Sequence, residues 1–159
     1  MQFAKDSFYA ALRERLQEVN PARTTVVDGV ERPAIVVAEN EASDISALDS
    51  TFRLVWGPCA SVGGGSRMMK VSCTIDYMTA GAEGTHGDRG RLLGTLDGEL
   101  LAIAQPLRAP KQDLTKIPPV SCGTQIFWTD LEFAQPEDDA GRLSRKATTT
   151  VYFLTEVKA

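Results

Sequence analysis

Nine consecutive residues, Met69 to Tyr77, alternate strictly in character: Met69, Val71, Cys73, Ile75 and Tyr77 are apolar, and Lys70, Ser72, Thr74 and Asp76 are polar. Side chains along a strand point to opposite faces in turn, so this pattern fits a half-buried strand and not the 3.6-residue period of a helix. A strand of this kind belongs to a sheet with one face on a core and the other towards water, the usual state of antiparallel sheets. Something apolar must therefore cover one face.

Two helical stripes can do so. Phe8, Ala11, Leu12, Leu16 and Val19 recur at helical spacing from Asp6 to Val19, opposite Arg13, Glu14, Gln17 and Glu18. Asp6 is placed to cap this helix, and Asn20-Pro21 ends it because proline disfavours helical geometry in the residue before it. A second stripe of Leu92, Leu93, Leu96, Leu100 and Ile103 predicts a helix from Asp88 to about Ala104. Gly90, Gly94 and Gly98 interrupt it at every fourth residue. Either the helix begins late or frays, or its glycines form a smooth face that a strand or neighbouring backbone approaches closely.

Between and after these helices lie further strands. Thr24–Val27, the turn signal Asp28-Gly29 and the run Ala34–Ala38 predict a hairpin, with Pro33 at an edge or bulge. Phe52 to Trp56 reads as a third strand that Gly57-Pro58 interrupts. Gln125 to Phe133 reads as a strand with Phe127, Leu131 and Phe133 on one face and Ile126 and Trp128 on the other, hence covered on both. The acidic turn Gln135–Gly141 joins it to a long strand, Lys146 to Val157. Thr79–Gly90 and Gln105–Gly123 read as long loops, the second carrying Pro106, Pro110, Pro118 and Pro119. The expected fold is a single two-layer α+β domain over residues 1–159, an antiparallel or mixed sheet with both helices on one face.

The 159 residues suit one hydrophobic core. No apolar run approaches the roughly 20 residues of a membrane span, and the start of the chain lacks the pattern of a secretory signal. Cytoplasmic folding is the expectation. A net charge of −4 without a basic tract argues against sequence-reading of nucleic acid.

The residues that could carry chemistry are few. His86 is the only histidine and lies in a glycine-rich stretch with no evident nucleophile or orienting group beside it. Cys59, Cys73 and Cys122 are too widely spaced for a zinc site and are expected to be small buried hydrophobes. Gly63-Gly64-Gly65-Ser66 and the glycines at 81, 84, 87 and 90 lack the lysine and spacing of phosphate loops. The carboxylate pairs Asp138-Asp139 and Asp44 with Asp49 read as solvated turns rather than as acid, base or Mg²⁺ groups. Trp56, Trp128 and Phe127 could line a ligand pocket but more simply fill the core. No catalytic, cofactor-binding or metal-binding residue is expected, and the chain is not read as an enzyme.

Gly123-Thr124-Gln125-Ile126-Phe127-Trp128-Thr129, then Gly141-Arg142-Leu143 and Ala147-Thr148-Thr149-Thr150-Val151-Tyr152-Phe153, together with the N-terminal helix leading into Thr24–Val37, resemble the tail terminator (tail completion) proteins of tailed bacteriophages. The resemblance lies in length, element order and local flavour across most of the chain. It implies a virion protein assembled in the host cytoplasm as a homo-oligomeric ring, a hexamer. Such a ring caps the tail tube, stops its polymerisation and joins it to the head-neck connector, with DNA passing through the lumen without specific binding. The residues alone leave a monomeric adaptor or a small-ligand-binding α+β domain as the alternative.

Overall fold

The computed structural model describes residues 1–40, 49–82 and 87–156, apart from the side chain of Asp139. In chain order the elements are α1 (Gln2–Val19), β1 (Thr24–Val27), β2 (Val30–Pro33), β3 (Ile35–Val37), β4 (Phe52–Ser61), β5 (Met68–Thr79), α2 (Arg89–Ile103), β6 (Arg108–Asp113), β7 (Val120–Trp128), β8 (Glu132–Phe133), β9 (Glu137–Asp139) and β10 (Arg142–Leu154). The main sheet runs β3-β4-β5-β10-β7-β6, with β8 and β9 also paired to β10, while β1 and β2 form a small sheet of their own. Every main-sheet pairing is antiparallel except β3 with β4, so the sheet is mixed. The fold is α+β, as expected.

One face of this sheet carries the core. Val71, Cys73, Ile75 and Tyr77 of β5 are buried beside Ala147, Val151 and Phe153 of β10, Phe52 and Leu54 of β4, and Ile126 and Trp128 of β7. Ala4, Phe8, Leu12 and Leu16 of α1 and Leu93, Leu96, Leu100 and Ile103 of α2 close over them. Phe8 meets Trp128 and Trp56 edge-on at 5.0 and 5.6 Å between ring centres, so one side chain of α1 ties two strands together. The opposite face, with Lys70, Ser72, Thr148 and Thr150, has no layer over it among the described residues.

Several elements differ from their sequence reading, each for a definable reason. Helix α1 begins at Gln2 rather than Asp6, because Ala4 extends the buried stripe upstream; Asp6 accepts a hydrogen bond from Gln2 Nε2 at 2.7 Å. Asp28-Gly29 does form the expected turn, at φ 51° and 77°, but its partner strand is β2 and not Ala34–Ala38. A two-residue turn pairs its immediate neighbours, Val27 with Val30, and Ile35–Val37, wholly buried, joins β4 in parallel instead. At Gly57-Pro58 β4 bulges rather than stops: pairing with β5 shifts between Trp56 and Cys59 and then continues to Ser61. Residues 105–123, expected as a loop, contain β6 and the start of β7. Their prolines fit an edge strand, with Pro110 on the sheet's last strand.

The strand expected over Gln125–Phe133 is broken. Trp128 pairs with Val151 and Phe133 with Ala147, five steps along one side against four along the other. One residue is extra, so the inward face changes parity. Phe127 therefore points away from the core while Phe133 packs against it, the reverse of their predicted kinship. Thr129 supports the break: its hydroxyl accepts from Thr150 N at 3.0 Å, and its carbonyl accepts from Thr149 Oγ1 at 2.7 Å. Strand β10 begins at Arg142, earlier than Lys146, because the expected acidic turn contains β9, which pairs with it across a tight turn at Ala140-Gly141.

Gly90, Gly94 and Gly98 fit neither of their two readings, since α2 starts at Arg89 and runs through all three to Ile103. All three are exposed, and an added Cβ would meet nothing within 4 Å, so no backbone approaches them. Gly57 is the glycine that matters, since a Cβ there would lie 2.1 Å from Ser72 Oγ. Replacing Gly57 with alanine makes the Ser72 hydroxyl turn aside and is expected to destabilise the protein by less than about 1.5 kcal/mol, measured by urea denaturation. Cys73→Ala should cost ~1–3 kcal/mol through its cavity, with the denaturant slope m unchanged.

Candidate functional site

The polar groups of the helix layer serve as ties. Arg15, projecting from α1, donates to the carbonyls of Ile103 at 3.2 Å, Pro106 at 2.8 Å and Arg108 at 2.7 Å, while its guanidinium stacks 5.3 Å from Trp128. It thus satisfies a carbonyl at the α2 terminus that no further helical turn reaches. Trp128 Nε1 donates to the next one, Ala104, at 3.0 Å. Arg23 holds Glu99 of α2 by two hydrogen bonds at 2.8 and 2.9 Å, and Asn20 adds a third at 2.7 Å. Burial alone would raise the Glu99 pKa, but these donors outweigh it and hold the carboxyl below its ordinary 4.5.

A second set fastens α2 to the sheet. Tyr77 Oη donates to Asp97, and Arg145 Nε lies 3.1 Å from the same carboxylate oxygen. Burial, then the hydrogen bond and charge of Asp97, push the Tyr77 hydroxyl pKa upward, so the phenol stays protonated. Lys111, almost wholly buried on β6, donates to the Leu154 carbonyl and pairs with Glu156 at 2.5 Å. Nearby, Ser7 Oγ accepts from Gln112 N at 2.9 Å, joining α1 to the same edge strand. The sequence held no signal for these ties. Asp97 and Glu99 look like any exposed helix carboxylates, and Lys111 like any strand lysine.

Among the described residues, those considered for chemistry are not brought together. His86 and Asp44 lie outside the described residues. Asp49 accepts from Ala80 N at 2.8 Å and so anchors a loop. Asp138 is gripped by Arg89 through two hydrogen bonds of 3.0 and 3.1 Å. Cys73 is buried, and burial pushes its thiol up to about 12, far from a reactive thiolate. Cys59 and Cys122 are only half-buried, less enclosed than expected. Among the described residues no group of three or more metal-ligating side chains converges. Gly63, Gly64 and Gly65 all have positive φ and form the tight β4–β5 turn. Trp128 fills the core and Trp56 packs at its margin, whereas Phe127 is 47% exposed, so the three aromatics do not line one pocket.

One open depression of about 250 Å³ lies beside Asn20, Arg23, Glu31 and Arg32. Another of about 300 Å³ lies on the uncovered sheet face among Pro58, Lys70, Ser72, Thr150 and Tyr152. Both are at or below the small end of ligand sites. Several exposed apolar side chains stand on projections, Val26 and Val30 on the β1–β2 hairpin and Ile117, 99% exposed, with Val120 at the β6–β7 turn, while Val19 and Leu101 are exposed on the helices.

No protein-family model and no curated protein matches the chain. Sixteen chains of solved structure do. One of them aligns with a TM-score of 0.57 at 13% identity, covering 99% of this chain and 97% of its own. At that identity the likeness is one of fold, and it spans the whole chain.

Because the Glu99 carboxyl is depressed, its contribution is present above its ordinary 4.5 and is lost as the pH falls through the lower folded value. Glu99→Gln should therefore destabilise by about 1–3 kcal/mol at pH 7. The gap from wild type should narrow below pH 4.5, measured by denaturation across pH.

Proposed function

We propose that this chain is a structural subunit of a tailed-phage virion. Copies of it close into a ring, hexameric by the resemblance of its sequence to tail terminators, at the end of the tail tube. The ring stops tube polymerisation and joins the tail to the head-neck connector.

The observation that carries this reading is the placement of exposed apolar side chains. Val26, Val30, Ile117 and Phe127 occupy hairpins and an uncovered sheet face rather than a concavity. Such surface suits protein partners more than a small molecule. The sheet also has two different ends, β3 and β6, and a small domain offering different patches to its neighbours assembles head to tail. A ring around a DNA conduit must not grip phosphate, and a net charge of −4 is in keeping with that.

Particles produced without this protein are expected to carry overlong or irregular tails detached from heads, as seen by electron microscopy of negatively stained lysates. Tails of normal length joined to heads in its absence would overturn the proposal.

A further inference from the structure

The uncovered sheet face holds one row unlike the rest. Across four adjacent strands, Arg108 pairs in register with Phe127, Phe127 with Tyr152, and Tyr152 with Lys70. Each is flanked in its strand by a core residue: Ala109, Ile126 and Trp128, Val151 and Phe153, and Val71. By alternation all four therefore stand on the face away from the helices. Two aromatic residues on neighbouring strands thus stand between two cations in the row. Arg108 and Lys70 are exposed and have no ion-pair partner among the described residues.

The β1–β2 hairpin has the complementary character. Val26 pairs with Glu31, so both point to the same side of the ribbon, with Asp28 at the turn. Val26 is 60% exposed, and Glu31 and Asp28 lie in exposed or half-exposed positions. Among the described residues Glu31 accepts only from the neighbouring Thr24 hydroxyl, at 2.9 Å. A two-stranded ribbon is marginal alone, and this one leans on the rest of the chain chiefly through α1. In the strand order it leads into β3, at the far end from the row on β5, β10, β7 and β6.

We infer that the β1–β2 hairpin of one copy docks on the Arg108–Phe127–Tyr152–Lys70 row of the next. Val26 covers the aromatic rings, and Glu31 and Asp28 meet the two cations. This inference rests on the ring reading and deepens it by naming the contact between neighbours. Distinct patches on one chain make the interface head to tail, the kind that closes a ring. A basic and aromatic sheet surface also suits single-stranded nucleic acid. The second copy is favoured because the same face bears Asp76 and Glu132, and because the chain supplies its own acidic, apolar counterpart.

The test is a charge exchange between two full-length variants, Glu31→Lys and the double variant Lys70→Glu/Arg108→Glu. All three positions are exposed, and unchanged thermal melting verifies folding. Self-association is read by sedimentation at high protein concentration and by counting copies on isolated tube ends. Each variant alone should associate at least roughly 10-fold more weakly than wild type, because like charges then face each other. An equimolar mixture should regain association, since in an alternating assembly every hairpin again meets a row of opposite charge. Wild-type rings that neither variant weakens would overturn the docking and leave the ring reading intact. A wild type that stays a single copy in solution and on tube ends would overturn both. If wild type binds a fluorescent single-stranded oligonucleotide, and the double variant loses only that binding, the row is a nucleic-acid platform and the docking is wrong.

Discussion

Strand β10 is the element on which the rest of the structure hangs. It pairs with β5 over twelve consecutive positions on one side and with β7, β8 and β9 on the other, so it joins the two halves of the main sheet. Its inward residues Ala147, Val151 and Phe153 lie at 0 to 1% exposure and form the floor on which the helices rest. A sheet joined through one strand depends on that strand's register, and a slip of one residue would turn its inward side chains to water. The tight turn at Ala140-Gly141 and the Thr129 bonds to Thr149 and Thr150 hold that register at two points along the edge opposite β5.

The helix layer is held differently. Apolar burial brings α1 and α2 onto the sheet, but it is non-directional and does not choose their placement. Direction comes from partly buried polar contacts: Arg15 on the carbonyls leaving α2, Arg23 and Asn20 on Glu99, and Tyr77 and Arg145 on Asp97. Each joins segments far apart in the chain. These cations and carboxylates are engaged in structure, whereas Arg108 and Lys70 on the uncovered sheet face have no ion-pair partner among the described residues.

Local patterns were legible where one face alone is buried. The alternation of Met69–Tyr77, the buried stripes of both helices apart from Val19, which is 47% exposed at the end of α1, and the Asp28-Gly29 turn appear in the structure because each records a one-sided environment within a few residues. The candidate site was far less legible. Nothing in the spacing of Arg108, Phe127, Tyr152 and Lys70 brings them together, since they lie on four strands whose order differs from their order in the chain. Phe127 was assigned to a covered face because the extra residue between Trp128 and Phe133 leaves no mark in composition.

By itself, then, the sequence determined the class of the protein: two amphipathic helices, strands with one wet face, and therefore a two-layer α+β arrangement. These follow from periodicity, which a short window contains in full. Only the tertiary structure decided which strands are neighbours, that Ile35–Val37 leaves its expected hairpin to pair in parallel with β4, and that Gly57-Pro58 bends a strand instead of ending it. Pairing depends on contacts between residues distant in the chain. Competition among those contacts is settled by the packing of the whole core, not by any single segment.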